Sequence, residues 1–137
     1  MAIEYGDIVY QYGDTITLPT DGSGSAGDAV TDDGSGLLTP VSATGDKVVG
    51  FLSMAPDAET NEAPVHMRAV PVANVAGSVS AYDYLVPDGS NAGRLTTEVG
   101  DGTDTGGAAV YAQALCDAGG TFRGRSYGAN EAVVVLR

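Results

Sequence analysis

At 137 residues with no tryptophan and two phenylalanines, the chain has material for one modest core and too little for two independent ones. Eighteen acidic residues against six Lys and Arg give a net charge of −12, which argues against nucleic-acid binding, because no basic stripe is present to displace counterions from a duplex. Hydrophobic residues reach 43% but are mostly Ala and Val, so at roughly 25 cal/mol per Å² of apolar burial the core has a small margin over chain entropy, and oligomerisation or a docked partner becomes a natural support.

Short Val, Ile, Thr and Tyr runs, punctuated by 20 Gly and six Pro, predict an all-β sandwich or barrel. In chain order the expected strands lie near Asp7 to Tyr12, Thr15 to Leu18, Asp28 to Thr31, Gly36 to Thr39, Lys47 to Ser53 and Pro64 to Val72. Further strands are expected near Val75 to Ser80, Tyr82 to Val86, Arg94 to Thr97, Ala108 to Leu115 and Glu131 to Leu136. Residues 1–19 read as an N-terminal extended arm with the first strands, and the Gly/Ser-rich residues 20–27 as a flexible linker. Residues 28–137 form the body. The arm carries Ile3, Tyr5, Ile8, Tyr10 and Tyr12, and a strand-prone aromatic segment suits addition to the edge of another sheet. Forming the first strand of its own domain is the other reading of the same residues.

An internal duplication organises the body. Asn130-Glu131-Ala132-Val133-Val134-Val135-Leu136-Arg137 repeats Asn61-Glu62-Ala63-Pro64-Val65-His66-Met67-Arg68. Ahead of each copy come an Asp-led strand (Asp28, Asp83), an Asp-Gly turn (33–34, 88–89), a Leu-Thr strand and a small-residue strand in which Ala112 stands where Gly50 does. Copy one spans about 26–68 and copy two about 81–137, with 14 extra residues placed in 97–107 and 118–129. Two such units, packed face to face, are expected to share one core.

Candidate chemistry is sparse. Cys116 stands alone, which predicts neither a disulfide nor a cysteine metal site and suits a buried small hydrophobe. His66, the single histidine, is expected at a rim, with no Gly-x-Ser-x-Gly elbow to make it catalytic. The acidic turns Asp32-Asp33-Gly34-Ser35 and Asp101-Gly102-Thr103-Asp104 lack the spacing of a calcium loop and read as solvated turns. No catalytic residue, metal site or cofactor is predicted. The N-terminus lacks the charged and apolar regions of a signal peptide, and no run reaches the ~20 apolar residues of a membrane-spanning helix. Arg123 and Arg125, with Phe122 and Tyr127 beside them, form the one local basic cluster and read either as an interface loop that pairs with a neighbour's carboxylates or as a solvated loop. The Asp excess over a single Lys47 also matches proteins adapted to molar salt.

Gly27-Asp28-Ala29-Val30, Gly45-Asp46-Lys47-Val48-Val49-Gly50-Phe51 and Val65-His66-Met67-Arg68 resemble the pattern of small capsid decoration, or cement, proteins of tailed viruses, here in the acidic style of a haloarchaeal virus. The second copy departs from it, with Tyr82-Asp83-Tyr84-Leu85 for the first motif. The resemblance implies a single-domain β-barrel or β-tulip-like sandwich, assembled in the host cytoplasm onto the outer surface of an icosahedral virion. It further implies the major capsid protein as partner, self-association as a homotrimer, and no membrane or nucleic-acid ligand. A virion turret or fibre, or a carbohydrate-binding β module, is the alternative, and should expose an aromatic platform.

Overall fold

In the computed structural model, which describes residues 15–67, 70–98 and 112–136, twelve short strands and no helix are present. The first five are β1 (Thr15–Pro19), β2 (Ala29–Asp32), β3 (Leu38–Pro40), β4 (Gly50–Leu52) and β5 (Glu62–His66). They make an antiparallel sheet in the order β1-β5-β4-β2-β3. A second sheet contains β6 (Val72–Asn74), β7 (Tyr84–Pro87), β8 (Leu95–Thr97), β9 (Ala112–Ala114) and β12 (Glu131–Leu136), in the order β6-β12-β9-β7-β8. A small hairpin of β10 (Thr121–Phe122) and β11 (Arg125–Ser126) lies between β9 and β12.

The two sheets are one topology written twice. Val30 opposes Gly50 as Leu85 opposes Ala112; Leu52 opposes Val65 as Ala114 opposes Val134; Asp32 opposes Leu38 as Pro87 opposes Leu95. Even the link between sheet edges repeats: Thr20 bridges Leu38 in parallel, and Val75 bridges Leu95. One bridge is not a ladder, so each sheet curls toward a barrel without a continuous seam. Asn61 and Asn130 occupy equivalent places before β5 and β12, and their carbonyls accept the Thr20 and Val75 amides at 2.8 and 2.9 Å. The extra length of the second copy falls in the β7–β8 turn, in the segment between β8 and β9, and most of all between β9 and β12.

β1 pairs with β5 from Thr15 through Pro19 and is the counterpart of β6. The repeat therefore begins at β1, ahead of the boundary that the sequence motifs suggest. Residues 20–27 are pinned where composition suggests a flexible linker. The amides of Thr20, Asp21 and Gly27 donate to Asn61, Leu38 and Leu52, and Gly22, Gly24 and Gly27 supply positive φ angles of 90°, 113° and 89°. Glycine here serves turn geometry. The expected strand from Pro64 to Val72 divides into β5 and β6, and the expected Val75–Ser80 strand is a single bridge residue followed by a turn. The expected strand from Asp7 to Tyr12 lies outside the described residues.

Alternation along each strand sorts side chains between two clusters. Val30, Leu38, Leu52, Ala63 and Val65 fill the inside of the first unit. Their counterparts Leu85, Leu95, Ala114, Ala132 and Val134 fill the second, in a larger cluster that also takes in Ala29, Val41 and Phe51 from the outer face of unit one. The units share a core, but not face to face. Unit two's equivalents of Ala29 and Phe51 are Tyr84 and Gln113, and Tyr84 is 48% exposed where Ala29 is fully buried. Hence the first unit buries residues of its outer face that the second unit leaves partly exposed.

Candidate interaction surfaces

The β10–β11 hairpin answers to the longest insertion of the second copy. Phe122 opposes Arg125 across the ladder, and the two turn residues Arg123 and Gly124 have φ of 53° and 82°. A two-residue turn with both φ positive matches the right-handed twist of the strands it joins. Phe122 and Tyr127 lie half-buried against the main core, while Arg123 and Arg125 are exposed. The Tyr127 amide also donates to the Gly120 carbonyl at 3.0 Å, fixing the hairpin's base. The four sequence-predicted residues thus lie on one hairpin with different surroundings: the aromatics pack against the core of their own molecule, and the two arginines are exposed. Ile3, Tyr5, Ile8, Tyr10 and Tyr12 of the predicted arm lie outside the described residues.

A second surface is one that the sequence motifs do not single out. In the first unit, Ser25 and Asp28 close a turn: the Ser25 amide donates to the Asp28 carboxylate at 2.9 Å, and the Gly27 amide donates to Leu52 at 2.8 Å. Ser80, Asp83 and Tyr82 do the same, with Tyr82 donating to Ala114 at 2.8 Å. Tyr82 therefore sits where the fold uses glycine, at φ 69°, a left-handed conformation that costs a residue with a Cβ roughly 1 kcal/mol or more. It remains 69% exposed, so little burial offsets that cost. Aligning Tyr82 with Gly27 in the repeat was the available signal.

Asp28 is the hinge of the contact between units. Its carboxylate accepts the Asn74 side-chain amide at 2.7 Å. Gly93, from the β7–β8 turn, packs so close that a Cβ there would lie 2.5 Å from the Asp28 carboxyl carbon. Backbone bonds clasp the same glycine: Ala29 N–H donates to its carbonyl at 2.8 Å, and its own N–H donates to Val41 at 2.7 Å. Beside this junction lies a cleft of about 300 Å³ whose lining includes Gly27, Leu52, His66, Val72, Asn74 and Glu131. His66 is half-buried there, which lowers the pKa of its imidazole below the ordinary 6.5. Its Nδ1 lies 2.8 Å from the Thr15 hydroxyl.

The acidic turns are self-satisfied. Asp33 accepts the amide and hydroxyl of Ser35 at 2.8 and 2.7 Å, and the Ser35 hydroxyl is the leading cause of its lowered carboxyl pKa. Asp21 is lowered in the same way by the Ser23 hydroxyl, and Asp57 by the backbone amides of Glu59 and Thr60. The Asp101–Asp104 turn lies outside the described residues. Among the described residues no cluster of three His, Cys, Asp or Glu is arranged to hold a metal ion. Cys116 is buried, its sulfur accepting the Val133 amide at 3.4 Å. No protein-family model matches the chain, and no curated protein matches it.

Proposed function

We propose that the protein binds the outer surface of an assembled icosahedral capsid and stabilises it, as a decoration protein. The observation that carries the reading is the anchored β10–β11 hairpin. It lies in the longest insertion that distinguishes two units of matching topology, is held by Phe122 and Tyr127, and carries Arg123 and Arg125 on a molecule of net charge −12. Each guanidinium is a planar fork of donors that matches a carboxylate of a shell subunit, and Arg is a residue type favoured in interfaces. Repetition over a shell turns modest single-site affinity into avidity. The likeness of the Gly-Asp-x-Val motifs to cement proteins supplies the partner, the major capsid protein, and the expectation of a homotrimer.

Co-sedimentation of the full chain with assembled shells tests this. Arg123→Asn keeps a residue that tolerates positive φ, and Arg125→Thr keeps a good strand former. The pair should leave folding stability within about 0.5 kcal/mol while weakening shell binding at least tenfold, on the scale of a lost interface anchor. Removal of residues 2 to 12 should abolish shell binding with the body still folded. Full binding by both variants would sink the proposal.

A further inference from the structure

Asp-Gly-Ser occurs three times among the described residues: at 21–23 in the segment after β1, at 33–35 in the β2–β3 turn and at 88–90 in the β7–β8 turn. The tripeptide carries a chemistry of its own. Glycine has no Cβ to screen its backbone nitrogen, which can turn back on the side chain of the preceding aspartate. The nitrogen bonds to Cγ, its proton and a carboxyl hydroxyl leave as water, and a succinimide ring closes. Water then adds to the α-carbonyl carbon and breaks the bond from that carbon to nitrogen, so that the chain runs on through Cβ and Cγ as isoaspartate. One water leaves and one returns, with no change of oxidation state. Because the three tripeptides are identical, the fold decides which of them reacts.

At the first two the reacting groups are tied. The Gly22 amide donates to the Thr20 hydroxyl at 3.0 Å, and the Gly34 amide to the Asp32 carboxylate at 2.6 Å. Each bond must break before the nitrogen can attack, and the Asp32 charge also opposes the negative nitrogen that attack requires. The electrophiles are held as well. Asp21 accepts the amide and hydroxyl of Ser23; Asp33 accepts those of Ser35, and the Leu37 amide at 3.3 Å. The serine hydroxyls are the leading cause of the lowered carboxyl pKa of both residues, which thins the neutral form that a nitrogen attacks. At the third tripeptide, Asp88 accepts the Ser90 amide at 2.9 Å and the Asn91 side-chain amide at 3.0 Å. The Gly89 amide has no hydrogen-bond acceptor among the described residues, and Gly89 is exposed to the water that opens the ring.

From this we infer that Asp88–Gly89 is the described Asp-Gly bond that converts to isoaspartate in the folded protein, and that the conversion loosens the contact between the two units. The second half follows from what the β7–β8 turn holds. Asp88 N–H donates to the Arg94 carbonyl at 2.9 Å, which closes the turn. Within it, Gly93 donates to Val41 at 2.7 Å and accepts the Ala29 amide at 2.8 Å, packed so near the Asp28 carboxyl that a Cβ does not fit. Isoaspartate adds one backbone carbon between Asp88 and Gly89, inside the closed turn, and Gly93 cannot keep both bonds and its seat against Asp28. The β2–β3 turn is the contrast: Asp33 N–H donates to Leu37 at 2.9 Å in the same way, but nothing lies within 4 Å of a Cβ built on Gly34 or Gly36. The same change there would disturb no neighbour. The inference does not depend on shell binding.

Ageing the purified full chain in warm neutral buffer tests both halves. Trypsin cuts after Lys47, Arg68 and Arg94, so Asp88 falls in fragment 69–94, apart from Asp21 and Asp33 in 1–47 and from Asp101 in the fragment that follows. Methyl transfer by an isoaspartate methyltransferase, with electron-transfer fragmentation of each peptide, locates the product. Isoaspartate should form at Asp88 at least about fivefold faster than at Asp21 or Asp33, the factor that one hydrogen bond on the nucleophile is worth. In concentrated urea, where the fold is gone, the three rates should converge. The aged protein should unfold at a lower urea concentration, by a shift that grows with its isoaspartate content. Gly89→Ala, whose Cβ meets Thr44 at an ordinary 3.4 Å, should suppress both the product at Asp88 and the shift. Equal or faster conversion at Asp21 or Asp33 in the folded protein would overturn the assignment. Isoaspartate at Asp88 with an unchanged urea midpoint would overturn its link to the contact between units.

Discussion

His66 occupies the position that Val135 holds in the other unit, opposite Phe51 in the ladder as Val135 is opposite Gln113. An apolar side chain is therefore compatible with this place in the sheet, and the imidazole adds a pH dependence that valine lacks. Desolvation lowers its folded-state pKa below the ordinary 6.5. A base with a depressed folded pKa binds fewer protons in the native state than in the unfolded chain, so stability falls as pH drops from about 6.5 through the folded pKa, then levels off for this group. His66→Val should remove that component while leaving stability near pH 7.5 within about 1 kcal/mol. Urea unfolding at a series of pH values checks it. The groups facing His66 include Thr15 and, across the cleft, Glu131; below pH 4 the lowered carboxyls of Asp21, Asp33 and Asp57 add a separate loss, since their stabilisation disappears as pH falls through their folded pKa values. An unchanged slope between pH 7 and 5 in the valine variant would assign the dependence to other groups.

The two Asp-Gly-Ser turns make a matched experiment at the scale of elements. Alanine at Gly36 meets only the strain of positive φ, because nothing described lies near, and should cost roughly 1–2 kcal/mol. Alanine at Gly93 meets the same strain, and its Cβ must also displace the Asp28 carboxylate from 2.5 Å, breaking the clasp on Ala29 and Val41. Gly93→Ala should therefore cost at least about 2 kcal/mol more than Gly36→Ala in urea unfolding, the scale of a disrupted buried hydrogen-bond network; equal costs would mean that the clasp contributes nothing to docking the units. The repeat that supplies this pairing was visible in the sequence as Asn-Glu-Ala, Asp-Gly and Leu-Thr, because each motif fixes a local event: a strand start, a turn, a return strand. Alignment of Ala112 with Gly50 and of Val135 with His66 agrees with the ladders. Other features were hidden for physical reasons. β1 does not show as part of the repeat because its counterpart β6 shares register and not sequence, as Leu18 and Ala73 show. The β10–β11 hairpin has only two paired residues on each side, too few for alternation to reveal. Which outer face is buried depends on how the units dock, and no periodicity within a strand encodes that.

For the whole molecule, charge and core size set opposing demands. A net charge of −12 resists compaction by self-repulsion, and in dilute buffer the Debye length exceeds the spacing between neighbouring surface carboxylates. The core that opposes this contains one fully buried Phe and a few Leu among many Ala and Val, so the hydrophobic term has little surplus. Screening should then be a large lever on stability, and the melting temperature should rise steadily from low to molar sodium chloride. Charge substitution separates this from a general salting effect. Glu59 and Glu62 are exposed, and replacing both with Lys shifts the net charge by about four units while touching no buried group. That variant should melt higher than the parent in dilute buffer and gain less from added salt, with the two curves converging near 1 M, where charges more than about 3 Å apart are screened. Parallel curves would locate the salt effect in apolar hydration instead, and would remove self-repulsion as the reason why so light a core is sensitive to its ionic surroundings.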